Sequence, residues 1–325
     1  MAPWSEDAVL RDDTGLRADA RAILDAAVAA VEPEALVFDA LRGAGLGADG
    51  STFVVAVGKA APAMARGARR ALGDRLSGGC VVGPKELVGD VAAPFSAYGG
   101  GHPVPKAEGV RGAEAIRDLA AGLGPEDTLY VLISGGGSAL MTLPPPAISL
   151  PDVQATTQLL LRAGATIQEL NAVRKHLDQL KGGRLARTAA PARVEALALS
   201  DVVGDPLDVI ASGPVSPDPT SFAEVEATLR RYDLWRQLPP KVRSHFEKGL
   251  AGDEDESPSP GDPCFDRVRA RILGSNRGAA SAALDEAERR GYSTLLLTTE
   301  LVGEARQAGG FLAAIAREVR RSGRP

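Results

Sequence analysis

Short β-branched segments break on small residues and run directly into alanine-rich amphipathic stretches, and this pattern recurs along the chain. It appears in "TFVVAVGKAAPAMARGARRALG" (52–73), "TLYVLISGGGSAL" (128–140), "VEALALSDVVGDP" (194–206) and "VRARILGSNRGAASAALDEAERRG" (268–291). Strands separated by helices cannot pair as hairpins; they need crossovers, and so a parallel sheet covered by helices on both faces. The expected fold class is therefore α/β.

Aromatics make up only 4% of the 325 residues, so the core has to be built from Ala, Val, Leu and Ile. The net charge of −5 argues against a nucleic-acid partner, which usually demands a basic excess. Two cysteines, Cys80 and Cys264, can build neither a disulfide framework nor a metal cluster, and a reducing cytoplasm is the natural setting. The opening "MAPWSEDAVLRDD" is acidic and lacks the apolar stretch of a signal peptide. No run reaches the ~18 apolar residues of a membrane span.

Along the chain, residues 8–32 read as a helix stopped by Pro33, followed by a short second helix and the glycine-rich loop "GAGLGADGS". Strands are expected at 52–57, 78–84, 128–133 and 194–199, with "FSAYGGG" as loop and a helix from Ala107. The stretch 150–190 reads as helix broken near Gly164, and 222–249 as helix again. The acidic, Pro- and Ser-rich "AGDEDESPSPGDPC" (251–264) is the best linker candidate, with a long surface loop as the alternative. This divides the chain into a first domain over 1–250, a linker over 251–264 and the beginning of a second α/β domain over 265–325. That second domain, with about two strands, buries too little surface to stand alone, so the chain reads as unfinished there.

The strongest chemical feature is the run Ser134, Gly135, Gly136, Gly137, Ser138, placed just after a strand. Ligands of parallel sheets sit outside the carboxyl ends of the strands, and glycines let backbone amides approach an anion. The alternative is a tight turn, although one glycine would serve for that. The common phosphate-loop templates fail. A Walker A loop ending at Gly58–Lys59 would need glycine where Phe53 stands and Ser or Thr where Ala60 stands, and a dinucleotide fingerprint from Gly135 and Gly137 meets Leu140 at its third position.

Lys59, at the exit of another strand, can reach the same sheet edge and neutralise a phosphate. Asn171, Arg174, Asp178 and Lys181 form a polar helical stripe beside an apolar one; from spacing alone, an ordinary solvated face is the better reading. Asp201 and Asp205 leave a strand end, where carboxylates suit Mg²⁺ or a general base, or simply a turn. Asn276 sits at an expected helix start. The histidines His102, His176 and His245 are scattered and read as structural.

Taken in order, "VAVGKAA", "GGHPVP", "LISGGGSAL", "NAVRKHL", "KGGRLA", "SDVVGD", "ASGPVSPDPTSF", "ILGSN" and "GEAR" closely resemble the glycerate 2-kinase family, the bacterial type whose C-terminal part is called the MOFRL domain. Members of that family continue through a glycine-rich stretch containing "GGRNQE", which these 325 residues do not include, and they often carry serine where this chain has Asp178. The resemblance implies a Rossmann-like first domain, a smaller α/β second domain and an active site between them.

It further implies phosphorylation of D-glycerate to 2-phosphoglycerate by ATP with Mg²⁺, in the cytoplasm, with no membrane or nucleic-acid partner and a homodimer as the candidate assembly. By the same resemblance, Lys59 stabilises the transferring phosphoryl group and Ser134 to Ser138 cradle phosphates or the glycerate carboxylate. Arg174 and Lys181, with Asn171 beside them, hold substrate anions; Asp201 and Asp205 organise Mg²⁺ or take the hydroxyl proton; and Asn276 contacts ligand. Two other readings stand beside this one: a hydroxypyruvate reductase using a nicotinamide cofactor, which the failed dinucleotide fingerprint disfavours, and a non-catalytic anion-binding protein.

Overall fold

The computed structural model describes residues 13–43 and 50–323. The first residues of the expected N-terminal helix and most of the "GAGLGADGS" loop lie outside them. Six strands make one parallel sheet: β1 (Thr52–Val57), β2 (Leu76–Pro84), β3 (Phe95–Gly100), β4 (Thr128–Ile133), β5 (Arg193–Leu199) and β6 (Val268–Gly274). Their spatial order is β3-β2-β1-β4-β5-β6, so the direction of winding reverses between β1 and β4. Together with flanking helices this is the expected α/β, Rossmann-like sheet.

Alternation along the central strand assigns the two faces. Leu129, Val131 and Ile133 of β4 pack with Val55, Val57 and Ile116 on one side. Tyr130 and Leu132 pack with Val54, Ala56 and Met64 on the other. Every residue of β4 is buried, as a strand covered on both faces requires. Helices α1 (Asp13–Ala29), α2 (Pro33–Leu41), α3 (Ala61–Leu72) and α4 (Ala107–Ala121) are followed by the single turn α5 (Gly137–Leu140).

A third core lies beside the sheet and is built mainly from helices. It joins α6 (Leu150–Arg162), α7 (Ile167–Lys175), α9 (Phe222–Arg231) and α10 (Pro240–Ala251) around Leu160, Val173, Phe222, Leu229, Val242 and Phe246. Three of these helices begin on capping boxes, Ser149 with Asp152, Thr166 with Glu169 and Ser221 with Glu224, each satisfying amides that a helix start leaves unpaired. The short α8 (Arg184–Ala189) returns the chain to the sheet, and α11 (Asn276–Arg289) and α12 (Ala305–Ser322) follow β6. Among the described residues no helix is long and apolar enough to cross a membrane.

The expected helix over 222–249 is two helices, broken between Arg231 and Pro240, and three further differences concern the sheet. "FSAYGG" is the edge strand β3, paired in parallel with β2; its glycines hide a strand that needs only one neighbour. The segment 268–274, assigned to the opening of a second domain, pairs with β5 and completes the first sheet. Its pattern of alternately exposed and half-buried residues is that of an edge strand, not of a new core. The second of the two strands expected for that domain, in "STLLLTTE" (293–300), does not form. Among the described residues no strand flanks it, and Leu295 and Leu297 remain 79% and 68% exposed.

Candidate active site

The β1 and β4 exits, side by side at the winding reversal, are stitched together before any ligand is considered. Ser134 N donates to Val57 O (2.9 Å), Lys59 N donates to Gly135 O (2.8 Å) and Gly58 N donates to Val82 O (3.1 Å). The Ser134 hydroxyl is buried. It accepts from Ala60 N (3.0 Å) and donates to Val57 O (3.3 Å), so it ties the residue before α3 to β1 and has no proton left to donate to an anion.

Gly58 has φ +117°, and a methyl group there would lie 2.3 Å from Ser134 Oγ and 2.4 Å from Ser134 O. Gly58→Ala is expected to cost about 1–3 kcal/mol, combining a left-handed backbone with overpacking. Denaturant unfolding measures it, and an unchanged midpoint would refute the tight stitching.

Each of the three glycines after Ser134 admits a different neighbour. A methyl on Gly135 would lie 2.1 Å from Asp201 Oδ2. On Gly136, whose φ is +80°, it would lie 2.9 Å from His102 Cδ2 and 3.2 Å from Cγ and Cε of Lys59. On Gly137 it would lie 2.7 Å from Ala211 Cβ. Three consecutive missing side chains thus bring a carboxylate, a lysine stem with an imidazole, and a buried loop onto one turn. Among the described residues, the amides of Gly135 and Gly136 enter no hydrogen bond.

Beside this turn opens a cavity of about 310 Å³, lined by Lys59, Ser134, Gly135, Ser200, Asp201, Ser275 and Asn276, with Val31, Leu199 and Ala279 as an apolar wall. Its polar lining comes from the C-terminal ends of β1, β4, β5 and β6, at the winding reversal where doubly wound sheets bind ligands. A larger cleft of about 640 Å³ lies on the outer side of α3 near Leu76 and Arg69. Its Arg66 and Arg70 are already paired with Glu34 (3.0 and 3.2 Å), and it borders the N-terminal end of β2, away from these strand exits.

The structure therefore joins Lys59, Ser134, Gly135, Asp201 and Asn276 at one cavity, and it places Ser138, Asn171, Arg174, Lys181 and Asp205 elsewhere. Ser138 Oγ hydrogen-bonds Ser212 Oγ (2.8 Å), and Ser212 Oγ donates to Asn171 Oδ1 (3.3 Å). Ser212 belongs to a strained turn in which Ala211 and Ser212 both have positive φ, 51° and 61°, a feature without a sequence signature.

Lys181 is 1% exposed. Its ammonium pairs with Asp178 and donates to Met141 O (2.8 Å), while burial pulls its pKa below the ordinary lysine value and Asp178 opposes that shift. Arg174, its pKa lowered by burial, faces Ser138, Thr142, Asp178 and Lys181 across a pocket of about 10 Å³, room for a single water. Asp205 occupies a turn with φ 55° and is not among the residues lining the cavity.

His102 is the residue that sequence reasoning missed. It crosses from the end of β3 to lie against Gly136, close enough to Lys59 and Asp201 to feel both charges. Its only available signal was the "GGGHP" context after an unrecognised strand. Ser200 and Ser275, each one step beyond a strand, were equally visible in principle. Neither cysteine offers a nucleophile, since burial pushes the Cys80 and Cys264 thiols up to about 12, with Asp262 adding to the shift at Cys264.

Residues 19–247 match a family described as a domain of unknown function, DUF4147. The chain is 40% identical over 276 residues to the glycerate 2-kinase of Pyrococcus horikoshii, covering 85% of this chain and 61% of that protein. It is 38% identical to the glycerate kinase of Danio rerio, covering 93% of this chain and 65% of that protein. The chain thus spans less than two thirds of the length of either relative. The crystal structure of the glycerate kinase of Thermotoga maritima is similar with a TM-score of 0.84 at 36% identity, over 96% of this chain and 72% of that one.

Proposed function

The chain belongs to the glycerate kinase family, and from that premise we propose that the protein transfers the γ-phosphoryl group of ATP to the 2-hydroxyl of D-glycerate, giving 2-phosphoglycerate and ADP. The observation that carries the reading is the convergence of Lys59, two unpaired glycine amides, Asp201 and Asn276 at the strand ends where the winding reverses.

Phosphoryl transfer asks a protein mainly to position its reactants and neutralise charge. The cavity meets that demand. Lys59 faces the transferring phosphoryl group, the amides of Gly135 and Gly136 approach phosphate oxygens, and the wall of Val31, Leu199 and Ala279 receives the apolar face of the base. The acceptor oxygen forms the new O–P bond as the bond to the ADP oxygen breaks, and the hydroxyl proton leaves to solvent.

Mg²⁺ fits as a nucleotide-borne ion. Among the described residues no group of three or more His, Cys, Asp or Glu could hold a metal alone. Nucleotide-bound Mg²⁺ needs only one or two protein carboxylates besides phosphate and water oxygens, and Asp201, packed against Gly135, supplies one. The ion would neutralise phosphate charge. Asp205 lies outside the cavity and is not assigned to it. Lys181, with both of its contacts internal, is assigned to structure, and Arg174 to backing the Ser138 turn.

Purified protein given D-glycerate, ATP and Mg²⁺ is expected to form ADP together with 2-phosphoglycerate, identified by ³¹P NMR. Oxidation of NADH with hydroxypyruvate and no ADP would replace this reading with the reductase. Glycerate binding without turnover of either kind would favour an anion-binding protein.

A further inference from the structure

We propose that His102 belongs to the acceptor half of the same site, where a ring nitrogen hydrogen-bonds the hydroxyl to be phosphorylated and orients it towards the phosphoryl group held at Lys59. This rests on the kinase reading and adds to it a residue and a direction. The cavity draws its other lining from the β4, β5 and β6 exits, and His102 is not part of its wall. Lys59 runs along Gly136 with the His102 ring on the same glycine, and Lys59 also lines the cavity, so the lysine is shared by cavity and imidazole. A phosphoryl group in transit needs its donor on one side and its acceptor on the other, roughly in line. With the donor in the cavity, the acceptor falls to the His102 side.

The loop that carries His102 is fixed in this position. β3 is the far edge strand, separated from β4 by β2 and β1, yet the loop returns across both. It is anchored at Gly100 and Gly109, where a methyl group would lie 2.7 and 2.3 Å from Leu140 O, the last residue of α5. Gln154 of α6 holds its far end by donating to Pro105 O (2.8 Å). His102 itself stays exposed at the head of this anchored loop, open to an incoming acceptor. The groups facing the ring are Lys59 from the β1 exit and Asp201 from the β5 exit, and Lys106 lies on its own loop against Gly101. Partial burial and then Lys59 lower the imidazole pKa, with Asp201 opposing, which favours the neutral ring able to accept a hydrogen bond.

The test is steady-state kinetics of the full chain with D-glycerate and Mg²⁺-ATP, comparing wild type, His102→Ala and His102→Gln, with thermal melts alongside. A misoriented acceptor costs up to about 10²-fold. His102→Ala is therefore expected to lower kcat by about 10–100-fold with the KM for ATP unchanged. His102→Gln, whose amide can place a hydrogen-bonding atom near the outer ring nitrogen, is expected to recover a large part of that loss. Wild-type kcat in His102→Ala, a parallel rise in the KM for ATP, or a glutamine variant as slow as the alanine variant would overturn the inference. A wild-type protein that forms no ADP would overturn the kinase reading itself, and the inference with it.

Discussion

Lys59→Ala lowers turnover by about 10²–10³-fold while D-glycerate binding, measured by calorimetry, survives in part. The expected size follows from what the lysine contributes. Removing one preorganised group aimed at transition-state charge costs this much when the remaining groups keep the reactants bound. Preorganisation is visible around Lys59. Its amide is pinned to Gly135 O at 2.8 Å, and its stem lies against Gly136, so the side chain projects from a fixed base. Lys59→Arg is not expected to restore the rate, because a planar fork cannot occupy the position of a compact ammonium on a flexible stem. Turnover of the alanine variant equal to wild type would reduce Lys59 to an ordinary surface lysine and leave the proposed phosphoryl site without its cation.

The same neighbourhood shows how much of the site the residues disclose in advance. Strand exits are readable because β-branched runs end on glycine, serine or lysine, and residues just beyond them reach a common edge. Lys59, Gly135, Asp201 and Asn276 were found in this way, and they line one cavity. The three glycines point to a close approach, but what approaches them does not. Asp201, Lys59 with His102, and Ala211 each come from chain far from residue 135, and only the order of the strands decides which exits become neighbours.

Helical spacing misleads for the opposite reason. Arg174 and Lys181 resemble a solvated stripe on a continuing helix, yet α7 ends at Lys175 and the chain turns inward, so Lys181 is enclosed behind the loop it was expected to serve. The sixth strand was expected to open a second domain and instead pairs with β5, because an acidic Pro- and Ser-rich segment marks an exposed connection without telling whether the chain leaves the sheet or returns to it. Here it returns. Arg184 and Arg187 donate to the carbonyls of Asp255 and Glu256 and hold the segment against α8.

The enclosed pair beneath the glycine loop sets the largest expected effect on stability. Asp178 is 3% exposed, and its carboxylate accepts from three backbone amides, Leu143 N (2.9 Å), Leu180 N (2.9 Å) and Lys181 N (3.2 Å), besides pairing with the Lys181 ammonium. Breaking a buried ion pair from one side costs about 3–5 kcal/mol, because the remaining charge stays buried. The two sides are not equivalent here. Lys181→Met leaves Asp178 with all three amides and belongs at the low end of that range. Asp178→Ala strands a buried ammonium and three amides together and belongs at the high end.

Replacing both partners by apolar residues often restores stability at a simple buried pair. Asp178→Leu combined with Lys181→Met should not do so here, since the amides would still lack an acceptor, each unmet donor costing about 1–3 kcal/mol. Equilibrium unfolding of the three variants separates these terms. Recovery of wild-type stability in the double variant would mean that Asp178 serves only as the counter-ion of Lys181. A double variant at least as unstable as Lys181→Met would identify Asp178 as the acceptor on which the turn after α7 is built, and through it the seat of the glycine loop above.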